Sequence, residues 1–150
     1  MLRVVHVIAG LIAILMIAIF WVSTALSEIF APPEVVAAVK TAIPWGFLVL
    51  IPALMATGGS GFILADGRRT GLIGVKSRRM QVVAANGLLI LLPAALFLAF
   101  RARSAAFDAT FYAIQALELA AGLVNVTLIG LNLRDGLRMT GRLRRQRGPA

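Results

Sequence analysis

The sequence predicts an all-α integral membrane protein, a four-helix bundle with both termini in the cytoplasm. Three observations support this class. Of its residues, 60% are hydrophobic and only 14% are charged. Four apolar runs are long enough, at about 1.5 Å per helical residue, to cross a hydrocarbon core of about 30 Å. The 15 basic residues are distributed unevenly around those runs.

The predicted spans cover residues 4–26, 42–65, 80–100 and 109–133. We expect them to form one transmembrane domain over residues 1–137, without a second folded domain in this sequence. The first run also has features of a secretory signal, but its apolar stretch exceeds the usual signal core of about 7 to 15 residues. Phe20 and Trp21 are bulky where a cleavage site requires small residues. We therefore expect this run to be retained as a span.

The basic residues predict the orientation, because Lys and Arg near span ends resist translocation. Lys40, Arg101 and Arg103 fall in the two loops assigned to the outer side, and Trp21 and Trp45 lie near the outer headgroup zone. The remaining basic residues are assigned to the cytoplasmic side: Arg3, Arg68, Arg69, Lys76, Arg78, Arg79, Arg134, Arg138, Arg142, Arg144, Arg145 and Arg147.

Residues 138–150 form a basic tail, which is expected to lie on anionic lipid headgroups and not to bind nucleic acid.

Three prolines lie within the predicted spans. Pro44 is expected in the first turn of the second span, where its missing N–H costs nothing. Pro52 and Pro93 lie inside spans, so kinks are expected there.

Polar residues at lipid depth need partners inside the bundle. On the fourth span, six residues at spacings of 3, 4, 3, 4 and 3 fall on one helix face, the polar seam: Gln115, Glu118, Gly122, Asn125, Ile129 and Asn132. We predict that this face points inward and mainly holds the bundle together. Thr57, Asn86 and Asn125 all lie about 5 to 6 Å to the cytoplasmic side of the centre, so one shared polar layer is expected.

Small residues predict close helix packing, since they let a neighbouring backbone approach. Gly58, Gly59 and Gly61 cluster on the second span, and Gly122 lies in the polar seam. The alternative is that the second-span glycines make an opening for a lipid tail or a flat cofactor.

Glu118 is the only acid within the predicted spans, about 5 Å to the outer side of the centre. We expect the Glu118 carboxyl to form a hydrogen bond with Gln115 or with a backbone carbonyl. Arg101 or Arg103 could instead reach inward and pair with it. Its functional interpretation is proton or cation handling, because ionisable residues inside a membrane often mark such pathways.

His6 is the only histidine, about 13 Å to the cytoplasmic side and level with Met80. His and Met are a known pair of axial haem ligands, so b-type haem between these residues is one hypothesis. Cysteine is absent, which excludes disulfides and covalent haem attachment. No metal-ligand cluster, phosphate-binding glycine loop or Ser–His–acid set is present, so an enzyme is not favoured.

Three stretches resemble small four-span inner-membrane proteins of proteobacteria: Leu2 to Phe30, KSRRMQVVAANGLLILL from Lys76 to Leu92, and QALELAAGLVNVTLIGLNLRDGLRMTGR from Gln115 to Arg142. The resemblance implies a multi-pass protein of the bacterial inner membrane and no particular reaction. A looser similarity to four-helix b-type cytochromes rests on the number of spans and on His6, and the chain lacks the other histidines of that pattern.

The sequence therefore predicts a non-enzymatic accessory subunit that binds a membrane protein partner or a second copy of itself. One alternative is a redox subunit that binds b-type haem or a quinone near the cytoplasmic face. Another is a proton or ion pathway that uses Glu118.

Overall fold

The computed structural model describes residues 1–65 and 71–139. Four helices in these residues are long and apolar enough to cross a bilayer. This confirms the all-α class and the number of candidate spans. The helices are α1 (Leu2–Phe30), α2 (Pro33–Ala65), α3 (Gly71–Asn86), α4 (Leu92–Arg103) and α5 (Ala109–Met139), and a π-helical turn, Gly87–Leu91, joins α3 to α4 into one long helix.

The helices alternate in direction, and the short connections Ala31–Pro32 and Ser104–Asp108 lie at one end of the bundle, the hairpin end. The opposite end, with Leu2, Gly71 and Met139, is the terminal end. Arg68, Arg69 and the basic tail from residue 140 onward lie outside the described residues.

The helices are longer than the apolar runs that predicted them. Helix α2 begins at Pro33, and the Pro32 carbonyl accepts hydrogen bonds from Val35 N at 3.0 Å and Val36 N at 3.2 Å. Proline suits this position because the first helical N–H has no partner in the helix. Pro44, predicted in the first turn, therefore lies in the interior of α2. Lys40, assigned to an outer loop, is instead a helical residue.

The irregularity predicted at Pro93 takes the form of the π-helical turn that precedes it. Proline has no N–H to donate, and its ring crowds the carbonyl four residues earlier. The wider π-helical turn relieves this crowding. Helix α2, in contrast, continues as α-helix through Pro52.

Helix α1 packs against α2 and α5, α2 also packs against α4, and α5 packs against α3 and α4. At the hairpin end, Val36, Leu98, Ala102 and Phe111 form a buried apolar cluster. In the terminal half, α1 pairs with α2 and α3 pairs with α5. This pairing decides which polar side chains can meet.

Candidate functional site

The polar seam of α5 faces the bundle interior. Its members are buried, apart from the partly buried Glu118, and the buried face continues to Phe111 at one end and Asp135 at the other. Asp135, which is 3% exposed, was missed because the predicted span stopped at residue 133. The signal was present in the sequence, since Asp135 lies three residues after Asn132 and so on the same side of the helix.

Asn86 and Asn125 form the predicted polar layer between α3 and α5. Asn86 Nδ2 donates to Asn125 Oδ1 at 2.8 Å and to the Ala121 carbonyl at 2.8 Å. Thr57 does not join them. Its hydroxyl donates to the Ala53 carbonyl of its own helix at 2.7 Å, and its side chain faces Gly10 of α1. The expected layer of three residues was wrong because α2 pairs with α1 in this half.

A neighbouring helix of the chain approaches closely at two of the four glycines. A Cβ atom at Gly122 would lie 2.7 Å from Cδ1 of Trp21, and one at Gly61 would lie 3.1 Å from Cε1 of His6. Gly58 and Gly59 are exposed, with no atom within 4 Å of such a Cβ atom, so no helix of the chain packs closely against them. They lie on the side of α2 that faces away from α1.

Trp21 is also placed differently from the prediction. Its indole is partly buried against α5, and Nε1 donates to the Leu119 carbonyl at 3.0 Å. Trp45, in contrast, is 69% exposed. An exposed indole, as a position in the headgroup zone favours, is therefore found at Trp45 and not at Trp21.

Glu118 forms an ion pair that the sequence did not reveal. Lys40 Nζ donates to Glu118 Oε2 at 2.5 Å, and the two side chains are 1% and 12% exposed. Gln115, Arg101 and Arg103 were the expected partners, but Arg101 pairs with Asp108 instead. The early start of α2 explains the difference, because it places Lys40 within reach of α5 through its flexible stem.

Two further side chains complete this site, which we call the hairpin-end cluster: Glu28, Lys40, Gln115 and Glu118. Glu28 of α1 is close enough to interact electrostatically with both Lys40 and Glu118. Its Oε1 atom is buried without a hydrogen-bond partner among the described residues. Gln115 is 4% exposed, and neither of its amide atoms has a partner there. Because the helices carry Glu28, Glu34 and Asp135 as well, Glu118 is not the only acid within them.

His6 faces α2. Its Nδ1 atom lies 3.1 Å from the Thr57 carbonyl and 3.0 Å from Ser60 Oγ, while the Ser60 hydroxyl donates to the Ala56 carbonyl at 2.5 Å. Since a carbonyl only accepts, Nδ1 carries the hydrogen, and in a neutral imidazole Nε2 then keeps its lone pair. Met80 lies on α3, which packs on α5, whereas His6 faces α2. The structure shows no contact between His6 and Met80 in the part of the chain that it describes, and the haem pairing stays a prediction.

No protein-family model, curated protein or solved structure matches this chain. The resemblance to small four-span proteobacterial inner-membrane proteins stays a prediction. Within residues 1–65 and 71–139, no group of three or more His, Asp or Glu side chains is arranged to hold a metal ion. The case for function therefore depends on the hairpin-end cluster and on His6.

Proposed function

We propose that this protein is a small, non-enzymatic accessory subunit of a complex in the bacterial inner membrane, and that its hairpin-end cluster binds and releases a proton. The observation that carries the proposal is the burial of the Lys40–Glu118 pair beside a second carboxyl, Glu28. Ionisable side chains inside a membrane are costly, and those that are retained often mark proton or ion pathways.

The charges of the cluster support this role. Lys40 balances one carboxylate, so the cluster has a net charge of −1 with both carboxyls ionised and 0 when one of them is protonated. A pair that only joined α2 to α5 would need no third ionisable group nearby. The surplus carboxyl at Glu28 gives the cluster its capacity to exchange a proton.

Gln115 supports the same conclusion. A buried amide without a hydrogen-bond partner costs about 1 to 3 kcal/mol. Gln115 precedes Glu118 by three residues on the same face of α5, which places this amide next to a carboxyl of the cluster. We therefore assign Gln115 to the proton site as a polar neighbour of the Glu118 carboxyl.

Infrared spectroscopy of the protein in lipid tests the proton site. We expect a protonated-carboxyl band that titrates with pH and that loses amplitude in Glu28→Gln. The matched control is Glu34→Gln, an exposed acid at the same end of the bundle. If Glu28→Gln and Glu118→Gln both leave the carboxyl band unchanged, the proton site is wrong.

The accessory role is supported by the outward face of α2. Gly58 and Gly59 are exposed there, and small residues let a second transmembrane helix approach closely. The chain has no cysteine, so Gly58→Cys creates a single cross-linking position. We expect it to cross-link to a partner or a second copy in native membranes, and Gly130→Cys, exposed on α5, to do so much less. Equal cross-linking, or none, would contradict this surface.

A second candidate function is a redox subunit that binds b-type haem or a quinone near the cytoplasmic face. One observation favours it: the Thr57 carbonyl fixes the hydrogen on His6 Nδ1, which is how histidine ligands are commonly oriented. Nε2 could then ligate haem iron or accept the hydroxyl hydrogen of a quinol. A Soret band lost in His6→Ala would support haem. Colourless protein from cells with ample haem would exclude the haem site.

A further inference from the structure

The terminal end carries a second cluster of charges between α3 and α5. Asp135 is 3% exposed and lies at its centre. Arg79 Nη1 donates to Asp135 Oδ2 at 2.7 Å, and Arg134 Nε lies 3.6 Å from Asp135 Oδ1. Lys76 and Arg138 interact electrostatically with the same carboxylate. We call these five residues the terminal-end cluster.

The cluster has an excess of positive charge. Four cations, Lys76, Arg79, Arg134 and Arg138, surround the single carboxylate of Asp135, which gives a net charge of +3. Arg79 is held by its short bond to Asp135. Arg134 is 50% exposed and Arg138 is exposed, so their guanidinium groups are available to an anion.

The helices also fix the positions of these charges. Asn132 Nδ2 donates to the Lys76 carbonyl at 3.3 Å, and a Cβ atom at Gly136 would lie 3.1 Å from Lys76 Nζ. The Lys76 side chain therefore lies across α5 beside Asp135. A guanidinium binds a phosphate through several N–H groups, so a set of cations held around a buried acid suits a phosphate group.

Apolar side chains continue from the cluster along the same helices. Val82 of α3 is 51% exposed and Leu133 of α5 is 44% exposed. Val82 follows Arg79 by three residues and Leu133 precedes Arg134, so a phosphate bound at the cluster would have exposed apolar side chains within one helical turn, as a headgroup with acyl chains requires. Free phosphate offers nothing to that surface.

We propose that the terminal-end cluster binds the phosphate headgroup of an anionic phospholipid, with Arg134 and Arg138 as its direct contacts and Asp135 as the residue that positions Arg79. This site is independent of the hairpin-end cluster, which lies at the other end of the bundle. A basic residue near an anionic lipid surface strengthens binding about fivefold, so losing two should weaken it about 30-fold.

The test is native mass spectrometry of the full chain in detergent, titrated with phosphatidylglycerol or with phosphatidylcholine. We expect bound phosphatidylglycerol and little phosphatidylcholine. Arg134→Gln/Arg138→Gln should weaken phosphatidylglycerol binding about 30-fold. Arg134→Lys/Arg138→Lys should restore most of it, because both charges return.

The matched control is Arg3→Gln/Arg78→Gln, which removes two exposed charges from the same end but outside the cluster. This variant should bind phosphatidylglycerol as the unaltered protein does. An equal loss in both double variants would overturn the proposal in favour of unspecific surface charge. Full competition by inorganic phosphate at the lipid's own concentration would overturn it in favour of a free anion.

Discussion

The indole ring of Trp21 lies against Gly122, where a Cβ atom would come within 2.7 Å of Trp21 Cδ1. The same indole donates from Nε1 to the Leu119 carbonyl at 3.0 Å. One aromatic side chain thus joins α1 to α5 by packing and by a hydrogen bond. The glycine at residue 122 is what leaves room for the ring.

We expect Gly122→Ala to destabilise the bundle by about 1 to 3 kcal/mol, because the added methyl group must displace a ring held by its own hydrogen bond. The measurement is unfolding in mixed detergent micelles. Gly130→Ala is the matched control, since nothing lies within 4 Å of its added Cβ atom. Equal effects of the two variants would contradict the packing.

The Lys40–Glu118 pair predicts strong coupling in a double-mutant cycle. Lys40→Met leaves the Glu118 carboxylate buried without its partner, and breaking a buried pair costs about 3 to 5 kcal/mol. Replacing both residues, as Lys40→Met/Glu118→Leu, should recover most of that stability. The unfolding free energies of the two single variants and the double variant measure the coupling. Simple additivity would show that the ion pair is not formed.

The Asn86–Asn125 hydrogen bond predicts a smaller coupling. Interhelical hydrogen bonds in membranes contribute about 0.6 to 2 kcal/mol. Asn86→Leu and Asn125→Leu should therefore be coupled by that amount, and Asn86→Leu combined with Thr57→Val should be additive, since Thr57 bonds its own helix. If Asn86 and Thr57 were coupled instead, the result would support the three-residue layer predicted from the sequence.

Asp108 predicts a loss of stability in acid. The Arg101 guanidinium, which donates to the Asp108 carboxylate, holds the pKa of that carboxyl below its usual value of 3.8, and Phe111 N, which donates to Oδ1 at 3.0 Å, acts in the same direction. A lowered pKa in the folded state stabilises the fold above the usual value, and this stabilisation is lost as pH falls through the folded value.

We therefore expect the melting temperature to fall below about pH 4, and to fall less in Asp108→Asn, which keeps an oxygen to cap α5 but has no charge to lose. The measurement is thermal unfolding in detergent across that range. Glu34→Gln, a change of another exposed acid at the hairpin end, serves as the control. Identical acid sensitivity in Asp108→Asn and the unaltered protein would rule out this role.

Ala105 offers a stabilising change. Its φ of 49° lies in the left-handed region, where an L-residue with a Cβ atom costs about 1 to 2 kcal/mol. Ala105 is exposed, so Ala105→Gly removes this strain without losing a packed side chain. We expect a gain of about 1 kcal/mol in unfolding free energy, whereas Ala109→Gly, inside the first turn of α5, should lose stability.

Much of the fold could be predicted from the sequence because hydrophobicity is a local property. A run of apolar residues marks a span whatever the rest of the chain does. The inward face of α5 could be predicted for a similar reason, since the spacing of Gln115, Asn125 and Asn132 depends only on helical geometry. The ends of the helices could not, because charged residues such as Lys40 continue a helix beyond its apolar run.

The sequence by itself determined the number of candidate spans and the face of α5 that turns inward. Only the tertiary structure decided that Lys40 meets Glu118, that Thr57 and Asn86 stay apart, and that Gly58 faces outward while Gly122 receives Trp21. The physical reason is that each of these contacts depends on which helices are neighbours and on the rotation of each helix about its axis. Those quantities are set by the packing of the whole bundle, and no single segment contains them.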